Sequence, residues 1–533
     1  MDKLTGGQVL VRCLEQHGVR HIFGIPGDVT VPIYEALQKS KINHITTRHE
    51  QGAGFMADGY ARASRQPGIA VVISGPGVTN IATAMGEAYT DSVPLLVLSA
   101  DIATTSYGKQ ADFNHEISDQ QSLTAAICAQ SIRIQSIKDI PISVNDAFEH
   151  FRIRWPQTIH IGIPTDILEE SDLVDIPSFT QTPAAVPGAD QIQKSVDILR
   201  GADSPIMILG GGSYRARHLT PKLAECIGAS VVTTMNGKDS FPNDHELYLG
   251  AGFHFSSIVD AVNNSDAILA VGTQFGRSDF AAVSAMDLLP QYAARQKPLI
   301  RADVTRTQLH ANIPATVELL GDSKTTITIL LEKITIGKES RSRAPTQRIK
   351  KEVEKQAREL GENYEPWLKA VRKSIPNEGI IAIDSTLIAY LGFPFIDIPT
   401  EGSWLYPSAF GTLGYSLPAA IGAKIAQPDR PAIAIIGDGG FLFTCTELLT
   451  AVENDIGLPV LVWNDRGFGT IRMNMKSRGM LPLGVNFSIP DLTNVAKGFG
   501  SGYENPKTPD ELANCIQVAL EKNSPTIIEV IDE

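Results

Sequence analysis

Two aspartates, Asp438 and Asp465, stand where a cation could be held. The first lies in Ile435-Ile436-Gly437-Asp438-Gly439-Gly440 and the second in Asn464-Asp465-Arg466-Gly467. Carboxylates are hard oxygen donors, and two brought to one place could share a Mg²⁺ whose remaining positions are filled by a diphosphate. Gly437, Gly439 and Gly440 would let backbone N–H groups approach phosphate oxygens at the start of a helix. A third carboxylate, Glu50, closes Arg48-His49-Glu50 after the apolar run 42–47.

The elements around these residues follow from pattern. An apolar run, 432–436, ends in the glycine turn; an amphipathic stretch follows, and a second apolar run, 459–463, closes on Asn464. That is a strand, a turn, a helix and a second strand, a βαβ unit with polar groups at the C-terminal ends of both strands. Ligands of such sheets sit outside those ends. Along the rest of the chain, short apolar strands such as 21–25, 69–74 and 94–99 alternate with helical stretches. The alternation predicts doubly wound parallel sheets, an α/β fold. Helix 52–62, rich in small residues, is suited to close packing.

With 533 residues the chain exceeds one core, and three domains are expected, over 1–170, 188–335 and 360–533. The Pro-, Ser- and Thr-rich 171–187 and the charged 333–351 read as linkers. The first and third domains look like two copies of one layout, each with a strand ending in an acidic residue, Glu50 or Asp438. Gly210-Gly211-Gly212 in the middle domain lacks dinucleotide spacing and reads as a plain turn.

Composition excludes several classes. The formal charge of −13 argues against a nucleic-acid partner. Five scattered cysteines without a C-x-x-C pair read as reduced thiols, and no apolar run is long enough for a membrane span, so a cytoplasmic protein is expected.

The spacing of Gly437-Asp438-Gly439, 24 residues on to Asn464-Asp465, resembles the diphosphate motif of the thiamin diphosphate enzymes, which usually end it in N-N. The family resemblance covers essentially the whole chain: pyrimidine-binding (PYR), central and diphosphate-binding (PP) domains. It implies thiamin diphosphate and Mg²⁺ as cofactors, with Asp438, Asp465 and Gly467 as metal ligands. It implies that Glu50 sets the tautomer of the cofactor's aminopyrimidine through N1′. The stretch from Gly411-Thr412-Leu413-Gly414 to Gly422 resembles the family's cofactor segment. Leu413 is then the apolar wedge under the cofactor, and Gly411 offers its carbonyl to the 4′-amino group. Ser385 and Thr386, after strand 379–383, would add hydroxyl and N–H donors for the diphosphate. The resemblance further implies active sites between subunits, hence a homodimer or homotetramer.

Two features bear on the reaction. Gly24-Ile25-Pro26-Gly27-Asp28 resembles the pattern of 2-oxo acid decarboxylases, and Phe113-Asn114-His115-Glu116 keeps the second of their two histidines. Asp28 and His115 are thus candidate acid–base groups for protonating the carbon that CO₂ leaves. Asn114-His115-Glu116-Ile117-Ser118-Asp119-Gln120 and Gly469-Thr470-Ile471-Arg472 look nearer to the acetolactate-synthase-like branch that includes 5-guanidino-2-oxopentanoate decarboxylase. A cationic substrate tail would need a carboxylate, for which Glu116 is a candidate. The expectation is a lyase, a non-oxidative decarboxylase of a small-molecule 2-oxo acid giving an aldehyde. Its alternatives are an acetolactate synthase-type carboligase, an oxidase with FAD on the central domain, and a silent cofactor-binding subunit.

Overall fold

The computed structural model describes residues 3–109, 113–178, 181–276, 279, 297–334 and 344–532. The chain opens on β1 (Leu4–Thr5) and builds a first sheet from β2 (His21–Gly24), β3 (Asn43–Thr46), β4 (Gly68–Val72), β5 (Leu95–Asp101), β6 (Gln130–Arg133) and β7 (Ile159–Pro164). β8 (Ser171–Asp172) then returns to pair antiparallel with β1, so the stretch read as a first linker begins by tying back to the first domain. The central sheet contains β9 (Pro205–Leu209), β10 (Ser230–Thr233), β11 (Tyr248–Ala251), β12 (Ala267–Val271), β13 (Leu299–Asp303) and β14 (Val317–Leu320). The third contains β15 (Ile380–Ile383), β16 (Trp404–Leu405), β17 (Ala432–Gly437), β18 (Pro459–Asn464), β19 (Gly502–Glu504) and β20 (Thr526–Ile531).

All three are six-stranded parallel sheets flanked by helices. The first has the order β3-β2-β4-β5-β7-β6 and the third β16-β15-β17-β18-β20-β19, the same permutation of strands. The likeness seen in sequence is therefore a likeness of topology. The central sheet differs, with the order β11-β10-β9-β12-β13-β14. That is the 3-2-1-4-5-6 winding whose direction reverses between its first and fourth strands. The inner strands are buried on both faces, which is why 432–436 and 459–463 read as unbroken apolar runs.

The first and third domains share one apolar core, and a helix pair makes the join. Helix Glu50–Ser64 packs on helix Ser416–Ala426. A Cβ on Gly59 would fall 2.0 Å from the Ala419 carbonyl oxygen, and one on Gly422 would fall 1.9 Å from that of Met56. Only residues without side chains allow backbones this close. Beside the contact, buried Arg62 bonds Asp58 at 2.7 Å and Asp91 at 3.0 Å, while the Tyr415 hydroxyl donates to Asp58 at 2.6 Å. The second stretch read as a linker departs from expectation. Its last residues start an 18-residue helix, Ala344–Gly361, whose Val353 and Ala357 are buried in the core that joins the central and third domains.

Candidate active site

The diphosphate-type turn is built at the C-terminal ends of two neighbouring strands. β17 and β18 pair in register, Gly437 opposite Trp463, so Asp438 and Asp465 leave the sheet side by side. Asp438 is 2 % exposed. Its Oδ1 accepts the Gly439 N–H at 2.8 Å and its Oδ2 the Gly467 N–H at 2.8 Å. Gly467 reaches that bond with φ +143°, a conformation open to glycine. The Asn464 amide faces elsewhere, donating to Glu529 at 2.6 Å while its oxygen accepts the Arg466 N–H at 3.1 Å. Asn464 thus shapes the turn, leaving Asp438 and Asp465 as its two carboxylates.

Those carboxylates repel one another. Burial and then the Asp438 charge push Asp465 up to about 6, while Arg472, 3.5 Å from Asp465 Oδ1, pulls the other way. Asp465 Oδ1 is buried without a hydrogen-bond donor. A paired set of oxygen donors of this kind fits a divalent cation. Among the described residues no group of three or more His, Cys, Asp and Glu could hold a metal. A cation here would therefore draw its other ligands from backbone and from a bound anion, as Mg²⁺ does with phosphates.

Thr386 and the cofactor segment close around the same turn. A Cβ on Gly437 would meet Thr386 Oγ1 at 2.8 Å, and one on Gly440 would meet Asp384 Oδ2 at 2.8 Å. Asp384, fully buried, accepts the Gly414 N–H at 2.8 Å and the Ser385 N–H at 2.8 Å, and burial raises it to about 7. The Thr444 hydroxyl donates to the Gly414 carbonyl at 2.8 Å. Asp384 is thus an internal brace between Ser385 and Gly414. Gly411, at φ +72°, is exposed with open space where a Cβ would stand, and Leu413 beside it is half-buried. The structure therefore brings Ser385, Thr386, Gly411, Leu413, Gly437, Asp438, Gly439, Gly440, Asp465 and Gly467 to one end of the third sheet.

The remaining candidates lie at the matching end of the first sheet. Glu50 begins helix Glu50–Ser64, capped by His49, whose Nδ1 accepts the Gln51 N–H. It is 8 % exposed, and its Oε2 accepts the Asn80 Nδ2 amide at 2.9 Å. Asp28 is exposed at the start of a short 3₁₀ turn after β2. His115, half-buried with φ +65°, packs its carbonyl against Gly75, the residue before helix Pro76–Thr90. Glu116 accepts the Phe113 N–H at 3.1 Å, a local bond.

Glu447, which sequence reading missed, ties the two ends together. It is fully buried in the third domain, nine residues after Asp438. Its carboxylate accepts the N–H groups of Arg48 at 3.0 Å and His49 at 3.1 Å, and the Thr450 hydroxyl at 2.7 Å. It thereby holds the turn that delivers Glu50, and burial raises its pKa.

A concavity of about 550 Å³ lies where the central domain meets the first and third. Gly210-Gly211-Gly212 after β9 and Gly272-Thr273 after β12 line it, at the point where the central sheet reverses direction. Asp91, Ser408 and Ala409 form another part of its wall.

The comparisons with known proteins agree on the family. Residues 4–123 match the thiamine pyrophosphate enzyme N-terminal TPP binding domain, 192–330 its central domain and 389–530 its C-terminal TPP binding domain. A protein of Pseudomonas aeruginosa named "Probable 2-ketoarginine decarboxylase AruI" is 37 % identical over 99 % of this chain and 94 % of its own. A "Probable acetolactate synthase large subunit" of Methanocaldococcus jannaschii is 30 % identical over 99 % of this chain and 92 % of its own. An acetolactate synthase large subunit of Lactococcus lactis is 30 % identical over 99 % and 92 %. With all three domains matched in order and glycine turns and paired carboxylates at the sheet ends, the chain belongs to the thiamine pyrophosphate enzymes.

Proposed function

We propose that the protein is a thiamin diphosphate- and Mg²⁺-dependent lyase that decarboxylates a 2-oxo acid to an aldehyde and CO₂ without oxidation. The observation that carries this reading is the pair Asp438 and Asp465 on adjoining strand ends, with the turns behind them fastened by the Gly467 N–H on Asp438. Thiamin diphosphate, when bound, supplies the carbon nucleophile and electron sink that decarboxylation of a 2-oxo acid requires. Asp438 and Asp465, with Gly467, would hold the Mg²⁺, and Gly437, Gly439, Gly440, Ser385 and Thr386 would bind the diphosphate. Gly411 and Leu413 would orient the ring system, and Glu50 would share a proton with the pyrimidine nitrogen. With the cofactor bound, Asp28 and His115 would be the groups that supply a proton to the carbon CO₂ leaves, before the aldehyde is released.

The 37 % identity to a protein named as a 2-ketoarginine decarboxylase supports the decarboxylase over the carboligase, which the 30 % identity to acetolactate synthases keeps as the second reading. A second copy of the chain completes the site. Exposed Phe410, Leu442 and Phe443 beside Gly411 and Asp438 support such a cover. A nucleotide on the central sheet is favoured by the glycine-lined cavity at its reversal point. Heat-released nucleotide or a flavin absorbance band in the purified protein would reveal it.

The reading is tested by dialysing the protein against a chelator and following CO₂ release from 2-oxo acids. Activity should return only when thiamin diphosphate and Mg²⁺ are both restored. Full activity without either one contradicts the proposal.

A further inference from the structure

Segment 408–412 lies between β16 and helix Ser416–Ala426 and belongs to no strand or helix, so no ladder takes up its N–H groups. Two carboxylates of the first domain take them instead. Asp91 Oδ2 accepts the Ser408 N–H and Oδ1 the Ala409 N–H, both at 3.0 Å. Glu87, one helical turn earlier, accepts the Thr412 N–H at 3.2 Å and the Thr412 hydroxyl at 2.9 Å through Oε2. On the other side Asp384 and Thr444 fasten Gly414. Gly411 and Leu413 lie between these fastenings.

We propose that Glu87 is a positioning residue: paired with Asp91, it clamps the main chain at Thr412 and so sets Gly411 and Leu413 against the cofactor. The assignment rests on the reading of 411–413 as the cofactor segment. Glu87 is fully buried, and its Oε1 meets no donor. Burial and the adjacent Asp91 carboxylate favour the protonated form of Glu87, so the pair holds one proton between them. Carried on Oε1, that proton makes Oε1 a donor toward Asp91 and leaves Oε2 as the acceptor for Thr412. The same helix, Pro76–Thr90, carries Asn80, the donor to Glu50, near its other end. One rigid element of the first domain thus touches both the acidic residue and the segment that would flank the cofactor.

The clamp makes a specific demand on substitutions. Glu87→Gln keeps an oxygen for Thr412 and offers its amide to Asp91 in place of the proton, whereas Glu87→Ala removes both. The test measures amide exchange of peptide 408–414 in cofactor-free protein, then kcat and substrate KM at saturating thiamin diphosphate and Mg²⁺. Glu87→Ala should exchange at least about tenfold faster there and lose about tenfold or more in kcat with KM within about threefold. Glu87→Gln should stay within about threefold of the parent in all three. Should Glu87→Ala fail to fold, Thr412→Val, which deletes only the hydroxyl donor, should still lower kcat by about threefold. Exchange and kcat unchanged in Glu87→Ala, or unchanged kcat in Thr412→Val, overturns the proposal, as does a Glu87→Gln protein as impaired as Glu87→Ala. A parent protein that binds no thiamin diphosphate defeats the functional reading instead, and the exchange data still judge the clamp.

Discussion

The Gly467 N–H donates to the Asp438 carboxylate at 2.8 Å, fastening the turn after one strand to the turn after its neighbour. The bond fixes one oxygen of Asp438 and holds the backbone near Asp465 in place. A cation between the two aspartates would therefore meet ligands that are already oriented.

Removing one charge should weaken metal binding more than it disturbs the fold. Asp465→Asn takes away the carboxylate that Asp438 repels and leaves the Asp438–Gly467 bond intact. The concentration of Mg²⁺ for half-maximal activity should rise at least about tenfold, with the melting temperature of the metal-free protein unchanged or raised. Titration of activity against Mg²⁺, with a parallel melt, checks both.

Glu50→Gln keeps the size of the side chain and an oxygen for the Asn80 amide, but cannot share a proton with a ring nitrogen. Thiamin diphosphate binding, followed by calorimetry, should stay within about tenfold, while kcat falls by about 10²-fold or more. A silent cofactor-binding subunit would have no activity to lose.

Much of this site was legible in the chain. Asp438 and Asp465 were visible because the turn chemistry and the strand–helix–strand spacing are local. Glu50 was visible because Arg48-His49-Glu50 stands where the family resemblance places its glutamate. The braces were not. Glu447 bonds Arg48 and His49 nearly 400 positions away, and Glu87 bonds Thr412 more than 300 positions away. Nothing local marks either glutamate, since what they satisfy is backbone of another domain. The last residues of 333–351 read as a charged linker because their helix buries only a narrow stripe, including Val353 and Ala357. The cavity that Gly210-Gly211-Gly212 lines depends on the order of strands in the central sheet, which spacing alone does not reveal.

The helix contact between the first and third domains gives a stability prediction. At Gly422 a Cβ would sit 1.9 Å from the Met56 carbonyl oxygen, so the helices must separate to admit it. Gly422→Ala should destabilise the protein by about 1–3 kcal/mol or more, despite alanine's better helix propensity. Thermal unfolding of the two proteins measures the difference.

Glu87 also predicts a pH dependence. Burial and then the neighbouring Asp91 charge raise it to about 9 from 4.5, against the opposing pull of Arg62 and the Thr412 N–H. The folded protein therefore keeps a proton that the unfolded chain has lost across that range. The resulting stability is full below the unfolded value and disappears as pH rises toward 9. Its slope is at most about 1.4 kcal/mol per pH unit and belongs to the Glu87–Asp91 pair. Glu87→Gln cannot titrate, so its melting temperature should fall less steeply than the parent's between pH 6 and 9.

The most direct measurement is product identification. The protein, with Mg²⁺ and thiamin diphosphate, is given a panel of 2-oxo acids that includes 5-guanidino-2-oxopentanoate, and the organic products are identified by mass spectrometry. The account predicts CO₂ and an aldehyde one carbon shorter than a single preferred substrate. A 2-hydroxy-3-oxo acid formed from two substrate molecules would contradict it, placing the protein with the carboligases and removing the roles given to Asp28 and His115.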